Sequence, residues 1–128
     1  MKLRMRNNSI RLRMSQSEVS RLAADGKVEE SIDFGAGPEA KLNYSIAKTI
    51  DGNEISARLS VGAVTVLVPA VLADEWVASD QVGLETAQPI RPGMDLNILI
   101  EKDFACLRPR DGEDDLDAFP HPDGKAKC

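Results

Sequence analysis

The sequence predicts an α+β fold: a mostly antiparallel, strongly curled or barrel-like sheet of about eight strands with two short helices. Three observations predict it. The apolar–basic alternation at the start of the chain switches parity across Asn7-Asn8. A capping box follows directly. Several further alternating segments then come one after another, separated by Gly-containing turns. Eight strands in so small a chain leave little else to cover them, which is why a curled sheet is expected.

Residues 1–14 read as a β-hairpin. Met1, Leu3 and Met5 alternate with Lys2, Arg4 and Arg6, and beyond the turn the apolar positions become Ile10, Leu12 and Met14. Asn tolerates the positive φ that a two-residue type I′ turn requires. The resulting register sets Met5 opposite Ile10, Leu3 opposite Leu12 and Met1 opposite Met14. Ser15 and Glu18 form a capping box that opens a helix running to about Asp25, and Gly26 ends it. Val19, Leu22 and Ala23 make its buried stripe.

A run of strands follows. Val28, Ile32 and Phe34 alternate, with Glu30 the one polar exception, and Leu42, Tyr44 and Ile46 alternate after them. Asp51-Gly52 is a hairpin signal that would set Ile46 opposite Ala57, Tyr44 opposite Leu59 and Leu42 opposite Val61. A second turn at Val61-Gly62 sets Leu59 opposite Val64, Ala57 opposite Val66 and Ile55 opposite Val68. Pro69 suits the first turn of a short helix with Val71, Leu72 and Trp76 on its buried side. Val82, Leu84 and Thr86 suggest a strand, Gln88 to Gly93 a connection, and Leu96, Ile98 and Ile100 a last strand with Leu99 on its other face. No internal repeat is evident.

The chain of 128 residues is long enough for one apolar core. One domain is expected, with residues 1–107 as the core and 108–128 as an acidic, Pro-rich strap anchored by Phe104, Leu107 and Phe119. The net charge of −5 disfavours a general nucleic-acid or acidic-membrane binder. No signal-peptide pattern and no span-length apolar run is found. Two cysteines are too few for a disulfide scaffold. A cytoplasmic location is the default expectation.

Candidate chemistry is sparse. Lys2, Arg4, Arg6, Arg11 and Arg13 share one face of the hairpin, with Arg4 opposite Arg11 and Lys2 opposite Arg13. Like charges placed opposite each other are unfavourable, so an anion should compensate them. That anion is either a phosphorylated or otherwise anionic ligand or acidic partner, or the protein's own carboxylates. Glu29, Asp33 and the acidic tail are the candidates, since residues 1–27 carry +5 and residues 111–128 carry −4. Cys106, His121 and Cys128 are potential zinc ligands, with Asp103, Asp117 or Asp123 as a fourth. Their spacing fits no zinc motif, and a buried Cys106 beside a loop histidine and a terminal thiol is the expectation. "DGEDDLD" fails as a calcium loop because Leu116 stands at the turn-glycine position. No catalytic signature is present: no GxSxG, no Walker loop and no paired histidines. The expected partner is therefore a protein or an anionic small molecule, with no cofactor, no nucleic acid and no membrane.

"NSIRLRMSQSEV" and "LIEKDFACLRPRDGEDDLDAFPHP" resemble a family of small conserved hypothetical bacterial proteins to which no function is attached. The resemblance covers most of the chain, implies that the tail belongs to the domain and brings no catalytic residue. Basic residues alternating on curled strands are also distantly similar to the triphosphate tunnel enzymes. Their N-terminal Glu-x-Glu-x-Lys signature is absent here, so they stand only as the enzyme-class alternative.

Overall fold

The computed structural model describes residues 1–104 together with Phe119, Pro120 and Pro122. The elements in order are β1 (Lys2–Arg6), β2 (Ser9–Met14), α1 (Gln16–Asp25), β3 (Lys27–Asp33), β4 (Lys41–Thr49), β5 (Ser56–Ser60), β6 (Ala63–Pro69), α2 (Ala70–Ala78), β7 (Gly83–Arg91) and β8 (Met94–Lys102). The α+β class holds. The strands form two four-stranded sheets, ordered β1-β2-β8-β7 and β3-β4-β6-β5. Each is mixed, with a parallel central pair (β2 with β8, β4 with β6) flanked by antiparallel neighbours. The barrel-like expectation is thus corrected.

The reason lies at the edges. Where β5 meets β7, the contact is made by one side chain: Gln88 Oε1 accepts from the Ala57 amide at 2.7 Å, and its Nε2 donates to the Ala57 carbonyl at 3.1 Å. Where β1 meets β3 and β4, the Tyr44 hydroxyl donates to the Met1 carbonyl at 3.1 Å and to Glu30 at 2.6 Å. Side chains clip the sheet edges together, whereas a barrel would continue the backbone ladder across them.

Strand order and direction show a duplicated topology. Residues 2–49 and 56–102 are both ββαββ units, and each sheet takes its first hairpin from one unit and its second from the other. The central pairs match residue for residue: Leu12 lies beside Ile100 in the first sheet and Val66 beside Ile46 in the second. Leu22 and Trp76, at corresponding positions in the two helices, are both fully buried. Few side chains match elsewhere, which is why the repeat escapes a reading of the sequence.

Local predictions hold. Asn7 and Asn8 have φ of 49° and 56°, and the hairpin pairs Met5 with Ile10, Leu3 with Leu12, Arg4 with Arg11 and Lys2 with Arg13. Ser15 caps α1 in a reciprocal box with Glu18, and Gly26, at φ 78°, ends it. The β5–β6 register is also as read, Leu59 with Val64 and Ala57 with Val66. Gly62 is obligatory at that turn. It has φ 68°, and a Cβ there would come within 2.9 Å of the Lys41 carbonyl oxygen.

The hairpin across Asp51-Gly52 is not formed. β4 pairs with β3 and β6, and β6 sits between β4 and β5. Ile46 and Ala57 still lie in one transverse row, each paired to Val66. The parity reading therefore found the core face and mistook the neighbour. β7 also continues through Pro89 to a register shift before Arg91, where a connection was expected. Proline is tolerated there because β7 is an edge strand.

The core joins both sheets and both helices, from Leu12, Ile98 and Ile100 on one side to Ile46, Val66 and Val28 on the other, with Leu22 and Trp76 at the helical end. The Trp76 indole donates to the Val82 carbonyl at 3.2 Å. Val71 is 69 % exposed, so α2 buries Ala73 and Trp76 in its place. Two of the three expected tail anchors are exposed. Phe104 is 61 % and Phe119 97 % exposed, while Leu107 lies outside the described residues.

Candidate functional site

The strands of the first hairpin turn Leu3, Met5, Ile10, Leu12 and Met14 to one face, and this parity carries the basic residues to the face opposite the core. Register then does the rest. Arg4 lies across from Arg11 and Lys2 from Arg13, and parallel pairing sets Arg11 beside Leu99 and Arg13 beside Glu101. The five predicted basic residues are therefore brought together, with β8 supplying the carboxylate.

Arg11 Nε and Arg13 Nε both donate to the same oxygen of Glu101, Oε1, each at 2.6 Å. Lys2 Nζ donates to Asp103 Oδ2 at 2.9 Å. Burial pushes the Glu101 carboxyl upward in pKa, but the hydrogen bonds from Arg13 and Arg11 outweigh it and hold the group below its ordinary value. Lys2, Arg4, Arg11 and Arg13 line a hollow of about 180 Å³. Among the described residues Lys2, Arg11 and Arg13 outnumber their two carboxylates by one positive charge.

Two of the three expected sources of compensating charge lie elsewhere, and the third, the acidic tail, falls outside the described residues. Glu29 pairs with Lys27 at 3.0 Å, and Asp33 accepts from the Gly35 amide at 2.8 Å, both on the other sheet. Glu101 and Asp103 take that role. Sequence parity could have identified Glu101, since Leu99 had already been placed on the non-core face and Glu101 follows at the same parity. What was missing was the knowledge that β8 lies beside β2.

The distant likeness to the triphosphate tunnel enzymes does not extend to this geometry. A phosphate tunnel needs its cations turned into the space between the strands, and here that space is filled by Leu12, Ile98 and Ile100.

A second cluster lies at the opposite face of β1. The Met1 amino group is held against Glu18 and Glu30, the latter at 2.5 Å, and Glu18 also accepts from the Ser15 amide at 2.9 Å. Burial works to raise the pKa of Glu18, yet the hydrogen bonds from Met1 and Ser15 pull it down to about 2. The hydrogen bond to Glu30, with burial second, pushes Tyr44 up to about 12. Glu30, the polar exception on β3, is thus satisfied by the Met1 amine and the Tyr44 hydroxyl. Every group in this cluster is internally paired, so it serves the fold.

A larger hollow of about 350 Å³ beside α1 and the end of β8 is walled by Met14, Val19, Val77 and Phe104. Its lysine is already committed: Lys102 donates to the Ser79 carbonyl at 2.7 Å and lies over the Trp76 ring. Gln16, Ser20 and Asp103 are its other polar lining residues.

The proposed metal ligands Cys106, His121 and Cys128 lie outside the described residues, as do Asp117 and Asp123. Among the described residues no group of three or more His, Cys, Asp or Glu is arranged to hold a metal ion, and no helix is long and apolar enough to cross a membrane.

Fold and site define a small α+β protein with a basic face on one strand pair. The chain belongs to a family of unknown function, DUF7009, whose model matches residues 1–123. No curated protein and no solved structure matches it.

Proposed function

We propose that this protein is a non-catalytic binding domain that captures an acidic segment of a partner protein on the basic face of β1 and β2. One observation carries the reading: the second sheet is an internal control. Its β5–β6 hairpin has the same place in the topology as β1–β2, and it holds Ser56, Arg58, Ser60, Thr65 and Leu67 where the first holds Lys2, Arg4, Arg6, Arg11 and Arg13. Five cations thus stand against one. The architecture is built without the charge, so the charge is not the architecture's requirement. Like charges facing each other across a ladder cost a few tenths of a kcal/mol or more per pair, and a function has to justify that cost. Size selects among anions. A hollow of about 180 Å³ is smaller than the roughly 300–1,000 Å³ of sites that enclose whole small molecules. It accepts one anionic group at a time, as a side chain of a larger partner presents it.

The test exchanges the two hairpins' residues. Lys2→Ser, Arg6→Ser, Arg11→Thr and Arg13→Leu together give the first hairpin's outer face the second's side chains, Arg4 already matching Arg58. A glutamate-rich peptide is titrated into the ¹⁵N-labelled parent and variant. Shifts centred on β1 and β2 in the parent, weakening with salt and lost in a folded variant, are expected. Undiminished binding by the variant overturns the reading, and so does a variant that no longer folds, because the cations would then serve stability.

A further inference from the structure

We infer that the group this face selects is a phosphoryl monoester on a partner's side chain, with Glu101 as the positioning residue that holds Arg11 and Arg13 ready for it. This rests on the binding reading above and narrows its ligand. Arg11 and Arg13 are two residues apart on β2, so their side chains rise from the same face of the sheet. Among the described residues both commit only Nε, and both to one oxygen, Glu101 Oε1. Glu101 is 15 % exposed in its side chain, and the arginines above it are 30 % and 17 % exposed. The carboxylate therefore lies beneath and fixes two planar forks side by side. Each guanidinium has five N–H donors in fixed geometry, and Glu101 takes one from each. The four Nη–H bonds of each arginine remain, with two further N–H donors on Lys2 beyond its bond to Asp103.

That donor set exceeds what a carboxylate accepts. Its two oxygens offer about four lone-pair sites, fewer than the N–H donors that two forks and an ammonium present together. Three phosphoryl oxygens can engage two forks and an ammonium together. Charge points the same way: a phosphomonoester carries about −1.5 to −2 near neutrality, against −1 for a carboxylate. The fixed forks favour the planar, bidentate contacts on which arginine surpasses lysine. Among the described residues the ionisable groups at the hollow are Lys2, Arg4, Arg11, Arg13, Glu101 and Asp103, with no histidine among them. Mild acidification consequently acts on the ligand.

Two peptides of identical sequence, one with phosphoserine and one with glutamate at the central position, are compared by calorimetry on the full chain, with free inorganic phosphate and phosphoserine as further arms. The phosphopeptide should bind at least about tenfold tighter than the glutamate peptide at pH 7.5. That advantage should fall as pH drops through the second phosphate pKa near 6, while the glutamate peptide's affinity stays level. Arg11→Lys with Arg13→Lys keeps the charge and removes the forks, and should bring the two peptides within about threefold. Equal affinity for both peptides in the parent, or an advantage that survives the lysine pair, overturns the phosphoryl inference and leaves the acidic-partner reading standing. Binding of neither peptide overturns both. Free phosphate binding as tightly as the phosphopeptide would assign the site to a small-molecule phosphate and overturn the side-chain source.

Discussion

The β1–β2 and β5–β6 hairpins occupy the same place in the two sheets, and they differ most on the face turned away from the core. On the buried side their residues are interchangeable in kind: Leu3 and Leu12 fill the row in one, Ala57 and Val66 in the other. On the outer side one hairpin carries five cations and the other one. The inner face is constrained by packing, where volume and hydrophobicity must match. The outer face is free of that constraint, and there the two hairpins differ. Comparing the two units thus separates what the fold needs from what one hairpin carries in addition.

The largest effects are expected where the two units should behave alike. Trp76→Ala should cost about 3–5 kcal/mol and Leu22→Ala, its counterpart, about 2–5 kcal/mol, read from the denaturant midpoint at unchanged slope. A cost below 1 kcal/mol for either would mean that the two helices do not cap one shared core.

The next effect tests an asymmetry. α1 begins with the Ser15–Glu18 box, whereas α2 begins at Pro69 without a side-chain cap. Glu18→Gln should cost about 2–3 kcal/mol, because the folded pKa of about 2 lies well below the ordinary 4.5. A depressed carboxyl contributes stability that is complete above its unfolded pKa and lost as pH falls through the folded one. The parent should therefore weaken between about pH 4.5 and pH 2, and Glu18→Gln should flatten that limb. Tyr44 behaves in the opposite sense. Its raised pKa gives stability that is present below pH 10 and lost as pH rises toward about 12, and Tyr44→Phe should remove that alkaline loss. Urea midpoints across pH measure both.

Smaller still are the edge clips. Gln88→Ala should cost about 1 kcal/mol, since it removes both bonds to Ala57. Opening of the β5–β7 edge should be visible as faster exchange of the Ala57 amide. A variant with unchanged protection there would mean that core packing alone closes that edge.

The smallest effect falls on Phe119→Ala, expected within about 0.5 kcal/mol of the parent, because the ring is 97 % exposed. A loss of 2 kcal/mol in a thermal melt would restore it as an anchor.

What the sequence determined by itself is local. The Asn7-Asn8 turn, the capping box, the Gly26 stop and the Val61-Gly62 hairpin each follow from residues close in the chain, where φ preference and side-chain parity leave one solution. Parity also identified the core face of nearly every strand and the shared face of the five cations. The tertiary structure decided which strands are neighbours. Parallel pairing of β2 with β8 joins segments more than eighty residues apart, and no turn records it. The same holds for β6, inserted between β4 and β5 in place of the hairpin that Asp51-Gly52 suggested. An alternating strand specifies that one face must be covered and is silent on which strand lies at its side, because any apolar row of similar width satisfies it. For that reason the basic residues of the candidate site were legible, and the carboxylate that orders them, Glu101, was not.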